Sequence, residues 1–188
     1  MRYVLAILGV ILLTVLTVVI IISRPGNESK KQNQNTPKTL VEYANSEART
    51  IFTTQGRVVG KEDRKSIRVT VDRNERVFEV LTGYDGVVEH SEQFGNSTSA
   101  FETFLAALDQ AGFTKQRSQP TTLDERGACP LGKHFIFELS QGENDISRHW
   151  ATTCGSRIGT SSAKISLVRS LFEAQIPNYS ELASNVKL

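Results

Sequence analysis

Hydrophobic and polar positions divide the chain into three zones. From Tyr3 to Ile22 the sequence runs YVLAILGVILLTVLTVVIII, with no charge and only Tyr3, Thr14 and Thr17 as polar side chains. A helix rises about 1.5 Å per residue, so about twenty apolar residues span the ~30 Å hydrocarbon core of a bilayer. The pattern therefore predicts a transmembrane helix within an anchor over residues 1–23. A cleaved signal peptide would have a shorter apolar run and a small-x-small site. Here the run ends Ile21-Ile22-Ser23-Arg24-Pro25, so the anchor is expected to stay attached. Residues 24–37 read RPGNESKKQNQNTP and contain no large apolar side chain. Such a segment buries too little surface to offset its ordering entropy, which predicts a disordered linker.

Residues 38–188 carry the alternations of a folded domain. Thr36-Pro37 reads as a helix start, followed by Leu40, Val41, Ala44 and Ala48 on one face. Ile51 to Val59, Ile67 to Val71, Val77 to Leu81 and Val87 to Phe94 read as four strands. The turns between them, at Asp72–Glu75 and Tyr84–Gly86, predict an antiparallel meander. A helix follows, with Ser99 and Glu102 as a capping box and Phe101, Phe104, Leu105 and Leu108 as its apolar stripe, closed by Gly112. Residues 114–127 are polar and read as a loop. Ile165, Val168, Leu171, Phe172 and Ile176 outline another helix stopped by Pro177, and Asn178 with Glu181 can cap a short last one. The predicted class is α+β: antiparallel sheet packed with three to four helices, preceded by the transmembrane helix.

The stretch from Cys129 to Cys154 predicts a β-hairpin. Phe135, Phe137 and Leu139 alternate with His134, Ile136 and Glu138, and Ile146 and Trp150 follow the turn at Gln141–Asp145. Placing all the large apolar residues on one face pairs odd positions with even ones. Cys129 and Cys154 fit that parity and are read as a structural disulfide; two unrelated buried thiols are the competing reading. A redox pair would more often be Cys-x-x-Cys, which the sequence lacks. In this register His134 faces His149, with Glu138 on the same face, a set that could hold a divalent ion. The alternative for these three is a polar outer sheet face.

Charge narrows the function classes. With 22 basic and 20 acidic side chains, the net charge of +2 gives no strong field for nucleic acid, and no nucleic-acid partner is expected. Arg24, Lys30 and Lys31 outnumber Arg2 across the anchor, which on a count of basic residues places the domain in the cytoplasm. Large domains translocate with limited regard for flanking charge, and a disulfide belongs outside the cytoplasm, so an extracytoplasmic domain is expected. No Gly-x-Ser-x-Gly and no phosphate-binding glycine pattern occurs, and no catalytic residue or cofactor is assigned.

Two stretches, Gly83-Tyr84-Asp85-Gly86 through Phe101–Phe113 and Leu171-Phe172 through Ile176-Pro177-Asn178-Tyr179, resemble uncharacterised single-pass membrane-anchored proteins of small-genome bacteria. The resemblance implies no activity. The outline is also similar to type IV pilins, but Gly9 is followed by Val10-Ile11-Leu12-Leu13-Thr14, without the Phe and Glu of that family. The reading that results is a tethered, non-catalytic envelope module, held in the bilayer by residues 3–22 and binding an envelope protein or surface polymer. The alternatives are a membrane-anchored hydrolase or metal-dependent enzyme, and an accessory subunit of a membrane complex or minor pilin-like protein.

Overall fold

The computed structural model describes residues 38–120, 122–155 and 157–188. The anchor, the linker and the helix start at Thr36-Pro37 lie outside these residues. Among the described residues no helix is long and apolar enough to cross a membrane.

Four strands come first: β1 (Ala48–Gln55), β2 (Lys65–Asp72), β3 (Glu75–Thr82) and β4 (Val87–Gly95). Helix α1 (Thr98–Ala111) leads to the hairpin β5 (His134–Gln141) and β6 (Asn144–Thr152), then to α2 (Ile165–Glu173) and α3 (Tyr179–Ala183). The strands form one antiparallel six-stranded sheet in the order β4-β3-β2-β1-β5-β6, so the fold is α+β. The meander forms as expected. The hairpin then joins its open edge at β1, with Phe52 opposite Phe137 and Gln55 opposite His134.

One face of the sheet meets the helices. Ala48, Phe52, Ile67, Val69, Val71, Phe78, Phe135, Phe137 and Leu139 point there and are buried with Phe101, Phe104, Leu105 and Leu108 of α1 and Val168 and Phe172 of α2. Phe52 is central to this layer: its ring lies 5.5 Å from Phe137, 6.1 Å from Phe135 and 5.3 Å from Phe172. Burying a side chain of this size contributes roughly 2–3 kcal/mol. Helix α1 starts two residues earlier than the expected capping box, because the Ser97 hydroxyl accepts the Ala100 N–H at 3.3 Å. It ends as expected: Gly112 takes φ 79°, and Phe113 folds back with its N–H on the Leu108 carbonyl at 3.1 Å.

Two local expectations change. The first helix shrinks to a 3-10 turn, Leu40–Tyr43, and Ala48 opens β1 instead of continuing the helical face. Ser46 ends it, its hydroxyl donating to the Tyr43 carbonyl at 2.8 Å and accepting the Ala48 N–H at 3.2 Å. Such side-chain bonds offer the backbone an alternative to the helix. Strand β1 also stops at Gln55 rather than Val59. The following residues leave the sheet, with the Val58 N–H donating to the Pro130 carbonyl at 2.8 Å.

The hairpin register is the larger correction. Phe135 pairs with Ala151, Phe137 with His149 and Leu139 with Ser147, odd with odd. Trp150 therefore stands opposite Ile136 on the other face, and Ile146 is 39% exposed. The expected parity assumed that Ile146 and Trp150 share the buried face of Phe135, Phe137 and Leu139, and the cysteines fitted it only as a continuation of the strands. Cys129 instead sits in a turn at φ 54°, five residues ahead of β5, so the bridge does not set the strand register.

Beyond β6, residues 159–161 lie along its outer edge. Gly159 bridges Ala151, the Trp150 N–H donates to the Thr160 hydroxyl at 3.0 Å, and the Ser161 N–H donates to the Trp150 carbonyl at 2.9 Å. Gly159 has φ 114°, and an added methyl group would overlap the Trp150 carbonyl oxygen and stand 2.9 Å from the Ala151 Cα. Gly159→Ala is expected to destabilise the domain by about 2 kcal/mol or more. Urea unfolding followed by tryptophan fluorescence measures this; an unchanged midpoint would mean that residues 159–161 are not seated on β6.

Candidate functional site

The outer face of the sheet carries its polar side chains in rows. The registers align Leu81, Ser66, Gln55, His134 and Thr152 across β3, β2, β1, β5 and β6. The next row is Glu79, Arg68, Thr53, Ile136 and Trp150, in which Arg68 pairs with Glu79 at 2.7 Å. A strap, described over residues 114–120 and 122–133, runs from the end of α1 to this face and covers its β5–β6 side. The Trp150 indole N–H donates to the Leu123 carbonyl at 3.3 Å, and Arg148 pairs with Glu125 at 2.7 Å and Glu138 at 3.1 Å. The His134 Nε2 lies 2.6 Å from the Ala128 carbonyl, which makes it the protonated nitrogen.

The disulfide forms as expected. Cys129 and Cys154 are bonded, with Cα atoms 5.6 Å apart, tying the strap to the chain just after β6. The turn can close only because residue 132 is glycine: a Cβ there would overlap the Cys129 sulfur and meet the Cys154 sulfur at 3.1 Å.

Between the strap and the first row lies a cleft of about 500 Å³. Its floor is Thr53, Gln55, Ser66, Leu81 and His134, and its walls are Val58, Arg64, Tyr84, residues 125–128 and Pro130. Arg64, just ahead of β2, is 8% exposed. It donates to the Gln55 side-chain oxygen at 2.9 Å and to the Gly56 and Arg57 carbonyls at 3.4 and 3.5 Å. Its guanidinium lies 4.5 Å from the centre of the Tyr84 ring, and the Tyr84 hydroxyl donates to the Val59 carbonyl at 2.8 Å. On the strap, Asp124 accepts three side-chain hydrogen-bond contacts from Arg126, and that pairing holds its carboxyl down at about 2. A second concavity of about 540 Å³, between α3 and β3–β4, has Glu62, Asp63, Glu89 and Glu181 beside Lys65 and Lys187. Lys65 and Glu89 are paired there, and the remaining charges make a mixed rim with more carboxylates than lysines.

The three expected metal ligands are not brought together. His134 and Glu138 lie on the outer face, whereas His149 pairs with Phe137 and lies on the helix side. Only His134 lines the cleft. Among the described residues no group of three His, Cys, Asp or Glu is placed to hold a metal ion. The expected ion site followed from the expected register and falls with it. The cleft residues Arg64 and Tyr84 escaped sequence reasoning because both stand in loops. The available signal was a basic residue directly ahead of an alternating strand.

A hydrolase would need an activated nucleophile. Ser66 and His134 share the row, but Gln55 stands between them, and two strand spacings put them about 10 Å apart. That exceeds hydrogen-bond reach, so His134 does not act as the base for Ser66.

His149 is 9% exposed, and its Nδ1 is buried without a hydrogen-bond partner. Burial lowers its pKa below the ordinary 6.5, against a backbone hydrogen bond at Thr114 that raises it. The unfolded chain therefore takes up this proton before the folded one does. The resulting stability is complete above pH 6.5 and is lost as pH falls from there toward the depressed folded value. The urea midpoint is expected to fall more steeply between pH 7.5 and 5.5 in the wild type than in His149→Gln; equal slopes would contradict this. Replacing both cysteines by serine is expected to cost on the order of 3 kcal/mol, read from the same unfolding curves.

No protein-family model and no curated protein matches this sequence, so the cleft is read from its own chemistry.

Proposed function

We propose that the chain is a membrane-tethered, extracytoplasmic binding module of the cell envelope, and that its ligand occupies the outer-face cleft. The uninterrupted apolar run from Tyr3 to Ile22 supports the tether, and the polar segment 24–37 supports a leash between bilayer and domain. The disulfide supports an oxidising compartment. The observation that carries the binding reading is Arg64, almost wholly buried yet lining an open cleft with Tyr84 braced against it. Clefts with a few placed polar groups among apolar walls are the usual form of a ligand site. Of the exposed large apolar side chains, Val58 and Tyr84 line this cleft. Binding by contacts alone also agrees with the separation of Ser66 from His134.

Spheroplasts of the producing cell test the location. The full-length chain is expected to need detergent for release, and external protease is expected to remove the domain without lysis. Recovery of the uncut chain in the aqueous fraction, or full protection from protease, would contradict the reading. For binding, the detergent-solubilised full-length protein is mixed with washed envelope fragments and sedimented. Retention is expected, with at least a threefold loss in Tyr84→Ala, because truncating an interface aromatic commonly costs more than about 1 kcal/mol. No retention, or retention indifferent to Tyr84, would contradict a role for the cleft.

A further inference from the structure

We infer that the cleft receives a carboxylate joined to a small apolar group, the arrangement at the C-terminus of a peptide, with Arg64 as its counter-ion. This rests on the cleft being the binding site. The Arg64 partners are the Gln55 amide oxygen, the Gly56 and Arg57 carbonyls and the Tyr84 ring, and every one of them is neutral. Among the described residues no carboxylate pairs with it. Three other cations near this face are committed: Arg68 to Glu79, Arg126 to Asp124, and Arg148 to Glu125 and Glu138. A buried charge without a counter-ion is costly, and proteins normally pair it. Here the four contacts fix the guanidinium in place while leaving its charge uncompensated, which is the preorganisation an anion site requires.

The number of charges selects the kind of anion. Arg126 is balanced by Asp124, whereas Arg148 is shared by Glu125 and Glu138 and leaves the Glu125 Oε2 buried without a hydrogen-bond partner, so the cleft offers an anion one positive charge, at Arg64, and repels a second negative one. A single guanidinium matches a monoanion, and its planar fork fits a carboxylate. A phosphate dianion would leave a second negative charge unpaired beside Glu125. Leu81, Val58 and the Tyr84 ring supply apolar surface next to Arg64, suited to a methyl or short aliphatic group attached to the carboxylate. The cleft's 500 Å³ admits the last one or two residues of a peptide.

The test uses the full-length protein in detergent micelles and three probes: acetyl-Ala-Ala with a free carboxylate, its C-terminal amide, and inorganic phosphate. Calorimetry is expected to show saturable binding of the acid, with the amide at least tenfold weaker. Phosphate at the same concentration is expected not to displace the acid. Arg64→Gln is expected to abolish the preference for acid over amide. The acid–amide comparison on wild-type protein stands even if that variant folds poorly. Equal binding of acid and amide, binding of neither, or competition by phosphate would each overturn the assignment. If the peptide acid fails while retention on envelope fragments still depends on Tyr84, the ligand class is wrong and the binding reading stands. If that retention is absent as well, both fall.

Discussion

The pairing of β1 with β5 holds the two halves of the domain together. The meander β1–β4 and the hairpin β5–β6 are each built from local contacts, but α1 and the strap separate them in the chain. Only the β1–β5 ladder makes them one sheet. On the helix side the join is filled by Phe52, against Phe135 and Phe137 of the hairpin and Phe172 of α2. On the other side the same ladder sets Gln55 beside His134. Core and cleft floor are thus opposite faces of one seam.

The character of the cleft follows from that seam. Strand β1 contributes Thr53 and Gln55 to the floor, β2 contributes Ser66, and β5 contributes His134. The walls come from loops that leave the sheet at this end, 56–64 and 83–86, and from the strap. Two anchors hold the strap, the Cys129–Cys154 bridge and the side-chain bonds to Trp150, Arg148 and His134. Covering the sheet this way buries Trp150 and Ile136 away from the helices, in a small second layer outside the main core. It also keeps polar side chains dry on the same face. The energetically exposed point is Arg64, where burial is compensated by dipoles and a ring face rather than by a carboxylate.

The elements with strong periodicity were legible in the sequence: β2, β3, α1 and α2, and the hairpin with its disulfide. Period-2 and period-3.6 patterns report which face a residue takes, and there one face was plainly apolar. Legibility failed where a large apolar residue was buried by something other than the helical core. Trp150 was assigned to the face of Phe135 and Phe137 because it is big and apolar. It is buried instead by the strap, and the strap's polar sequence gives no sign of covering anything. That one residue displaced the register, and with it the supposed facing of His134 and His149. The cleft was invisible for a related reason: Arg64 and Tyr84 meet through two turns that pair distant strand ends.

Native-state hydrogen exchange resolved by residue tests the seam most directly. If β1–β5 pairing unites the domain, amides of β1, β2 and β5 will exchange only through global unfolding, with one shared free energy. Reducing the disulfide will then speed exchange in the strap at 122–130 far more than in β5. Exchange of β5 and β6 at a lower free energy than β1 and β2 would contradict the account, because the hairpin would then open alone and the cleft floor would not be a single structure.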